Sequence, residues 1–98
     1  MVCAAFTLSA QQWAPVGENI RTPWAEQVDP SNPLPAYPRP QMVRTDWMNL
    51  NGLWNYAVTD AAAEAFESQG QILVPFAIES SLSGVGKRVA KGEALWYE

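Results

Sequence analysis

At 98 residues, with six Lys+Arg against ten Asp+Glu and a formal net charge of -4 at pH 7, the chain has room for one small domain. A chain of this size buries roughly 60 to 65% of the surface its unfolded form exposes, so a core of its own is marginal. The scattered basic residues argue against phosphate-backbone binding. The lack of histidine and the single cysteine, Cys3, remove Ser/His and Cys/His mechanisms, an internal disulfide and a His/Cys zinc site.

Residues 2–8 (VCAAFTL) are an apolar run leading into Ser9-Ala10, which reads as the tail of a secretory signal without its basic leader. A buried N-terminal strand is the alternative. On the signal reading the mature chain starts near Gln11, and Cys3 is removed. Residues 11–45 are an extended proline-rich arm: every proline except Pro75 lies between positions 15 and 40, and a residue without an N–H can enter neither a helix interior nor a sheet ladder. Thr22-Pro23 can open one helical turn, Thr22 as cap and Pro23 at the first position, ending before Asp29-Pro30. Residues 34–40 read as a polyproline-like strap lying across the protein, anchored by Trp24, Leu34 and Tyr37.

Met48, Leu50, Trp54, Tyr56 and Val58 share one parity, opposite Asn49, Asn51 and Asn55, which is the alternation of a half-buried strand. Asn51-Gly52 is a turn or bulge ahead of a strand over 53–58. Residues 60–68 have the composition of a short helix capped by Asp60 and ended by Gly70. Residues 71–76 (QILVPF) form a strand apolar on both faces until Pro75, residues 79–92 a polar glycine-containing loop, and residues 94–97 a third strand. Three strands and an arm need partners on their edges and a second layer, so the chain reads as the N-terminal piece of a longer protein.

Candidate chemistry is sparse. Glu64 and Glu67 would neighbour each other on a solvated helix face, whereas a carboxylate pair for acid/base work faces across a cleft. Ser83-Gly84-Val85-Gly86-Lys87-Arg88 has the look of a phosphate loop, but Ser81 stands where its first glycine belongs and Arg88 where Ser or Thr should follow the lysine. Ser80, Ser81 and Ser83 have no histidine partner and suit turn backbone instead. The five tryptophans invite a second thought, since aromatic faces stack on sugar rings. Trp47, Trp54 and Trp96 with Asn49, Asn51 and Asn55 suit that role, and suit a sandwich core equally.

Tyr37-Pro38-Arg39-Pro40-Gln41-Met42-Val43-Arg44, then Trp47 and Asn49-Leu50-Asn51-Gly52-Leu53-Trp54-Asn55-Tyr56, then Ile72-Leu73-Val74-Pro75-Phe76 with Glu79-Ser80 and Leu82-Ser83-Gly84, and finally Leu95-Trp96-Tyr97, together resemble the opening of glycoside hydrolase family 2. The resemblance implies an all-β fold, an incomplete jelly-roll (galactose-binding-like) β-sandwich whose first strands occupy residues 46–98 behind the arm. It implies a secreted or periplasmic β-galactosidase- or β-glucuronidase-like retaining hydrolase acting on O-glycosyl bonds, with both catalytic glutamates in a later barrel. This stretch is then a non-catalytic sugar-binding scaffold, packed on downstream domains, with no catalytic residue, metal or cofactor of its own. Its expected contribution is a loop at the rim of the active site, carrying Lys87 and Arg88 as substrate-binding residues for a β-linked glycoside. A stand-alone carbohydrate-binding module without catalysis is the alternative. A proline-rich interaction peptide ranks last, since the arm lacks a repeated basic Pro-x-x-Pro pattern. Neither nucleic acid nor a membrane span enters any of these readings.

Overall fold

The computed structural model describes residues 12–98, so the expected signal remnant at 1–10, with Cys3, lies outside the described residues. Three strands form one antiparallel sheet: β1 (Gly52–Asp60), β2 (Gly70–Val74) and β3 (Glu93–Tyr97), in the order β2-β1-β3. The long, β-branched and aromatic segment thus takes the middle position. The missing strands of a partial sandwich are expected to leave the edges of 53–58 and 71–74 unpaired; the outer side of β2 is open, as is that of β3, with no strand pairing there among the described residues, whereas β1 has a partner on each side at Asn55 and Tyr56.

The parity read from the sequence sets the two faces. Trp54 lies opposite Ile72, Tyr56 opposite Tyr97 and Val58 opposite Leu95. Trp54, Tyr56, Val58, Ile72 and Leu95 pack with Ile78, Val85 and Val89 from the 77–92 connection to make the core. Leu73 and Ala57 point the other way and are also buried, so β2 is apolar on both faces as its composition requires. Ile72 and Leu73 are each 0% exposed, and burying such a side chain contributes about 1.5–3 kcal/mol. On this second face Phe66 stacks on Trp96, ring centroids 5.3 Å apart. Met48 and Leu50, which continue the apolar parity upstream, fall before the strand and remain exposed.

Residues 61–69 form no helix, contrary to the expectation for 60–68. Asp60 belongs to β1, and its carboxylate accepts from the Ala62 N–H (2.8 Å), closing a turn where a helical cap was expected. A helix this short is marginal without a face to bury, and here Phe66 is drawn onto Trp96 while Gln69 is drawn to the sheet. Gln69 N–H donates to the Tyr56 carbonyl (2.8 Å) although Gly70 is the residue registered opposite Tyr56, so the two together form a bulge. Its side-chain amide then replaces the missing ladder: Oε1 accepts from Val58 N–H (3.2 Å) and Nε2 donates to Val58 O (2.9 Å).

The arm is organised differently. Pro23–Gln27 is one 3-10 turn with proline at its start, as expected, but the Thr22 side chain makes no cap bond. The expected anchors are corrected: Trp24 is 69% and Leu34 58% exposed, and their neighbours Ala25 and Pro33 are the buried residues. Nor is 34–40 a straight strap. Leu34 turns at φ +46, and Pro40–Met42 is a second 3-10 turn. Residues 34–49 close into an Ω-type loop. Inside it Tyr37 packs edge-on against Trp47 (centroids 4.9 Å), donates its hydroxyl to the Met42 carbonyl (3.2 Å) and accepts from Arg44 N–H (3.1 Å). The radius of gyration is 16.9 Å, against about 13 Å for a compact domain of similar length. Among the described residues no helix is long and apolar enough to cross a membrane.

Candidate functional site

The loop bearing Lys87 and Arg88 is built on Ser83. That residue is fully buried, and its hydroxyl donates towards the Ser80 carbonyl (2.7 Å), with the Ile78 carbonyl at 3.1 Å, while accepting from Val85 N–H (3.0 Å) and Gly86 N–H (3.4 Å). Ser80 in turn accepts from Ser83 N–H and donates to the Ala77 carbonyl. The serines satisfy turn backbone, as their context suggests. They also settle the phosphate-loop resemblance against anion binding: the N–H groups of Val85 and Gly86 that would have to point at an anion are spent on the Ser83 oxygen.

Further contacts fix this loop. Gly84 adopts φ +80, and a Cβ there would sit 2.9 Å from Cδ1 of Trp13, so only glycine lets the indole lie against the turn. Trp13 Nε1 donates to the Leu82 carbonyl (3.1 Å), and Val16 N–H donates to the Ser81 carbonyl (3.0 Å). The start of the arm therefore clamps the loop onto the sheet. Lys87 N–H donates to the Ile78 carbonyl (3.1 Å), which holds the backbone at the position from which both basic side chains emerge. Both side chains are exposed, as is that of Lys91. The polar loop of the sequence reading is thus a seated cover of the core with cationic side chains on its outer surface, able to donate hydrogen bonds to hydroxyl or carboxylate oxygens.

The aromatic and asparagine residues do not assemble into one platform. Trp54 and Trp96 lie on opposite faces of the sheet. Trp54 Nε1 donates to the Leu50 carbonyl and Trp96 Nε1 to Thr59 Oγ1, both at 2.8 Å. Asn49 Nδ2 donates to the Leu34 carbonyl (3.3 Å), and Asn51 Nδ2 to those of Pro33 (3.2 Å) and Leu34 (3.4 Å). Asn55 exchanges both backbone bonds with Glu98. Trp47, 44% exposed, is the one of the three tryptophans left with a broad open surface. Glu64 and Glu67 are exposed on non-helical chain. Among the described residues no three acidic or metal-ligating side chains come together.

Leu50, Trp54, Val74, Pro75, Phe76, Ala77 and Tyr97 line an open apolar cleft of about 400 Å³ at the end of the sheet where β1 begins. The register gives Leu53, Trp54 and Gly52 partners in β2, whereas pairing towards β3 begins only at Asn55. Bonding in this ladder alternates sides, so the Leu53 backbone faces the unpaired side, beside the cleft. The signal in the sequence was the Val-Pro-Phe step, which places apolar side chains at a strand end.

No protein-family model matches the chain, and no curated protein matches it in sequence.

Proposed function

We propose that the sheet is the leading part of a jelly-roll sugar-binding sandwich in a retaining glycoside hydrolase of the family 2 type, secreted or periplasmic, in which this chain is scaffold and the catalytic carboxylates lie in another domain. The observation that carries the reading is convergence. Of the segments that resemble the family in sequence, those after Asn49 meet in one sheet, while Tyr37 to Arg44 and Trp47 lie in the arm's loop: Leu50 to Tyr56 opens and forms β1, Val74-Pro75 closes β2, Leu95-Trp96-Tyr97 is the body of β3, and Ser80 to Gly84 is the turn seated against β2. Weak motifs spread along a chain by chance have no reason to become neighbours in space.

The open edges and the apolar cleft support the same reading, because a sandwich supplies further strands and a second layer at those places. In this arrangement the cover loop is the part that reaches the substrate. Lys87 and Arg88 extend from a backbone held by Ser83 and Ile78, and donate to the oxygens of a β-linked glycoside at the rim of the active site.

The test is hydrolysis by the full-length protein of aryl β-galactosides and β-glucuronides, with the anomer of the first-formed sugar read by proton NMR. Hydrolysis with retention is expected; no hydrolysis across the panel, or inversion, contradicts the proposal. With the same enzyme, Lys87→Ala/Arg88→Ala is expected to raise KM several-fold with little change in kcat, the pattern of lost uniform binding. An unchanged KM removes this loop from the substrate site.

A further inference from the structure

Between the start of the arm and the second face of the sheet, Gln12, Trp13, Val16, Leu53, Gln71 and Gly84 line a pocket of about 200 Å³. That is below the roughly 300–1,000 Å³ of sites for drug-sized ligands, and is room for a single ring. The walls are of two kinds. Trp13 has its one polar atom, Nε1, bonded to the Leu82 carbonyl and its Cδ1 edge held against Gly84, so the indole offers the pocket carbon surface, as Val16 and Leu53 do. Gln71 brings a carboxamide, and the register sets Asn55 directly across from it on the same face, with Cβ atoms about 4.5–5.5 Å apart. The amides of Asn49, Asn51 and Gln69 are committed to backbone, whereas those of Gln71 and Asn55 have no hydrogen-bond partner among the described residues. None of the lining side chains is charged.

We propose that this pocket binds one neutral sugar unit, at a site separate from Lys87 and Arg88. A pyranose ring presents an apolar face of C–H groups and a rim of hydroxyls that both donate and accept. Trp13, Val16 and Leu53 match the first, and the carboxamides of Gln71 and Asn55, each with two donors and an acceptor, match the second without charge. An anionic ligand would meet no cation in the lining. A wholly apolar one would take the amides out of water with nothing to bond, which is costly. The pocket is formed before any ligand arrives, because Val16 N–H donates to the Ser81 carbonyl, Ser81 Oγ donates to the Val16 carbonyl, and Trp13 is fixed on Leu82. A ligand therefore has no loop to order on binding. The proposal needs only this pocket and does not rest on the glycosidase reading.

The experiment irradiates the full-length protein with galactose carrying an alkyl diazirine and maps the attached label by peptide mass spectrometry. Label is expected at Trp13, Leu53 or their immediate neighbours, and is expected to fall when unmodified galactose is added. Gln71→Ala, which truncates an exposed side chain, is expected to reduce it several-fold. Gln71→Trp, which fills the pocket from the same position, is expected to abolish it. Hydrolysis of aryl glycosides is read on the same wild-type protein: label without hydrolysis upholds this site while the glycosidase reading fails, and hydrolysis without label here overturns the site and leaves that reading standing. Label that unmodified galactose does not displace, or that persists at the wild-type level in both Gln71 variants, also overturns the proposal.

Discussion

The sheet and the arm both carry large apolar residues, yet they are held by different physics. In β1 and β2 the apolar positions alternate or run together, the ladder satisfies the backbone, and Tyr56, Ile72, Leu73 and Ala57 disappear from solvent. In the arm the prolines remove the donors that a ladder needs. Ile20, Trp24, Met42, Val43 and Met48 stay exposed, and shape comes from side chains bonded to backbone: Asn49 and Asn51 on Leu34, Tyr37 on Met42 and Arg44, and Ser31 on Asp29. Burial makes the sheet cooperative, and local bonds make the arm a set of separable turns.

Substitutions should divide along that line. Ile72→Ala is expected to cost about 2–5 kcal/mol, the range for deleting a buried aliphatic side chain, and to lower the midpoint of chemical unfolding for the whole sheet. Ser83→Ala leaves the Val85 and Gly86 N–H groups without their acceptor, at about 1–3 kcal/mol. It should loosen the cover loop, seen as faster exchange of those two amides. Asn51→Ala should leave the unfolding midpoint nearly unchanged while sharply increasing proteolysis after Arg44. An arm substitution that lowers the midpoint as far as Ile72→Ala would break the comparison.

The smallest effect is electrostatic. The Ser31 hydroxyl and then its backbone N–H hold the exposed Asp29 carboxyl below its ordinary range. A depressed carboxylate pKa gives stability that is present above the unfolded value and lost as pH falls through the folded one. Acidification should therefore open the 29–32 turn, read by NMR at Ser31, with little consequence elsewhere.

The strands were legible because parity is a short-range signal: Trp54, Tyr56 and Val58 announce one face before any partner is known, and Ile72-Leu73 announces burial on both. The order β2-β1-β3 was not, since which strand lies centrally depends on pairings distant in sequence. The helix at 60–68 failed because composition alone does not hold so short a helix, whereas Phe66 and Gln69 have better partners on the sheet. The arm's anchors failed for a related reason. Size suggested Trp24 and Leu34, but the restraint is exerted through backbone carbonyls, to which Asn49 and Asn51 happen to be opposite. At the candidate site Lys87 and Arg88 were placed on a loop correctly, while the buried Ser83 and the Trp13 contact that seat the loop depend on the folded chain.

The central claim is that this sheet belongs to a larger sandwich, and the Leu53 amide tests it most directly. Hydrogen exchange at Leu53 would be compared between the isolated 98-residue chain and the full-length protein. The account predicts fast exchange in the isolated chain and strong protection in a longer protein, where chain following Glu98 continues β3 along β1 beside the apolar cleft. Equally fast exchange in both would show that nothing pairs with this edge, and would contradict the sandwich.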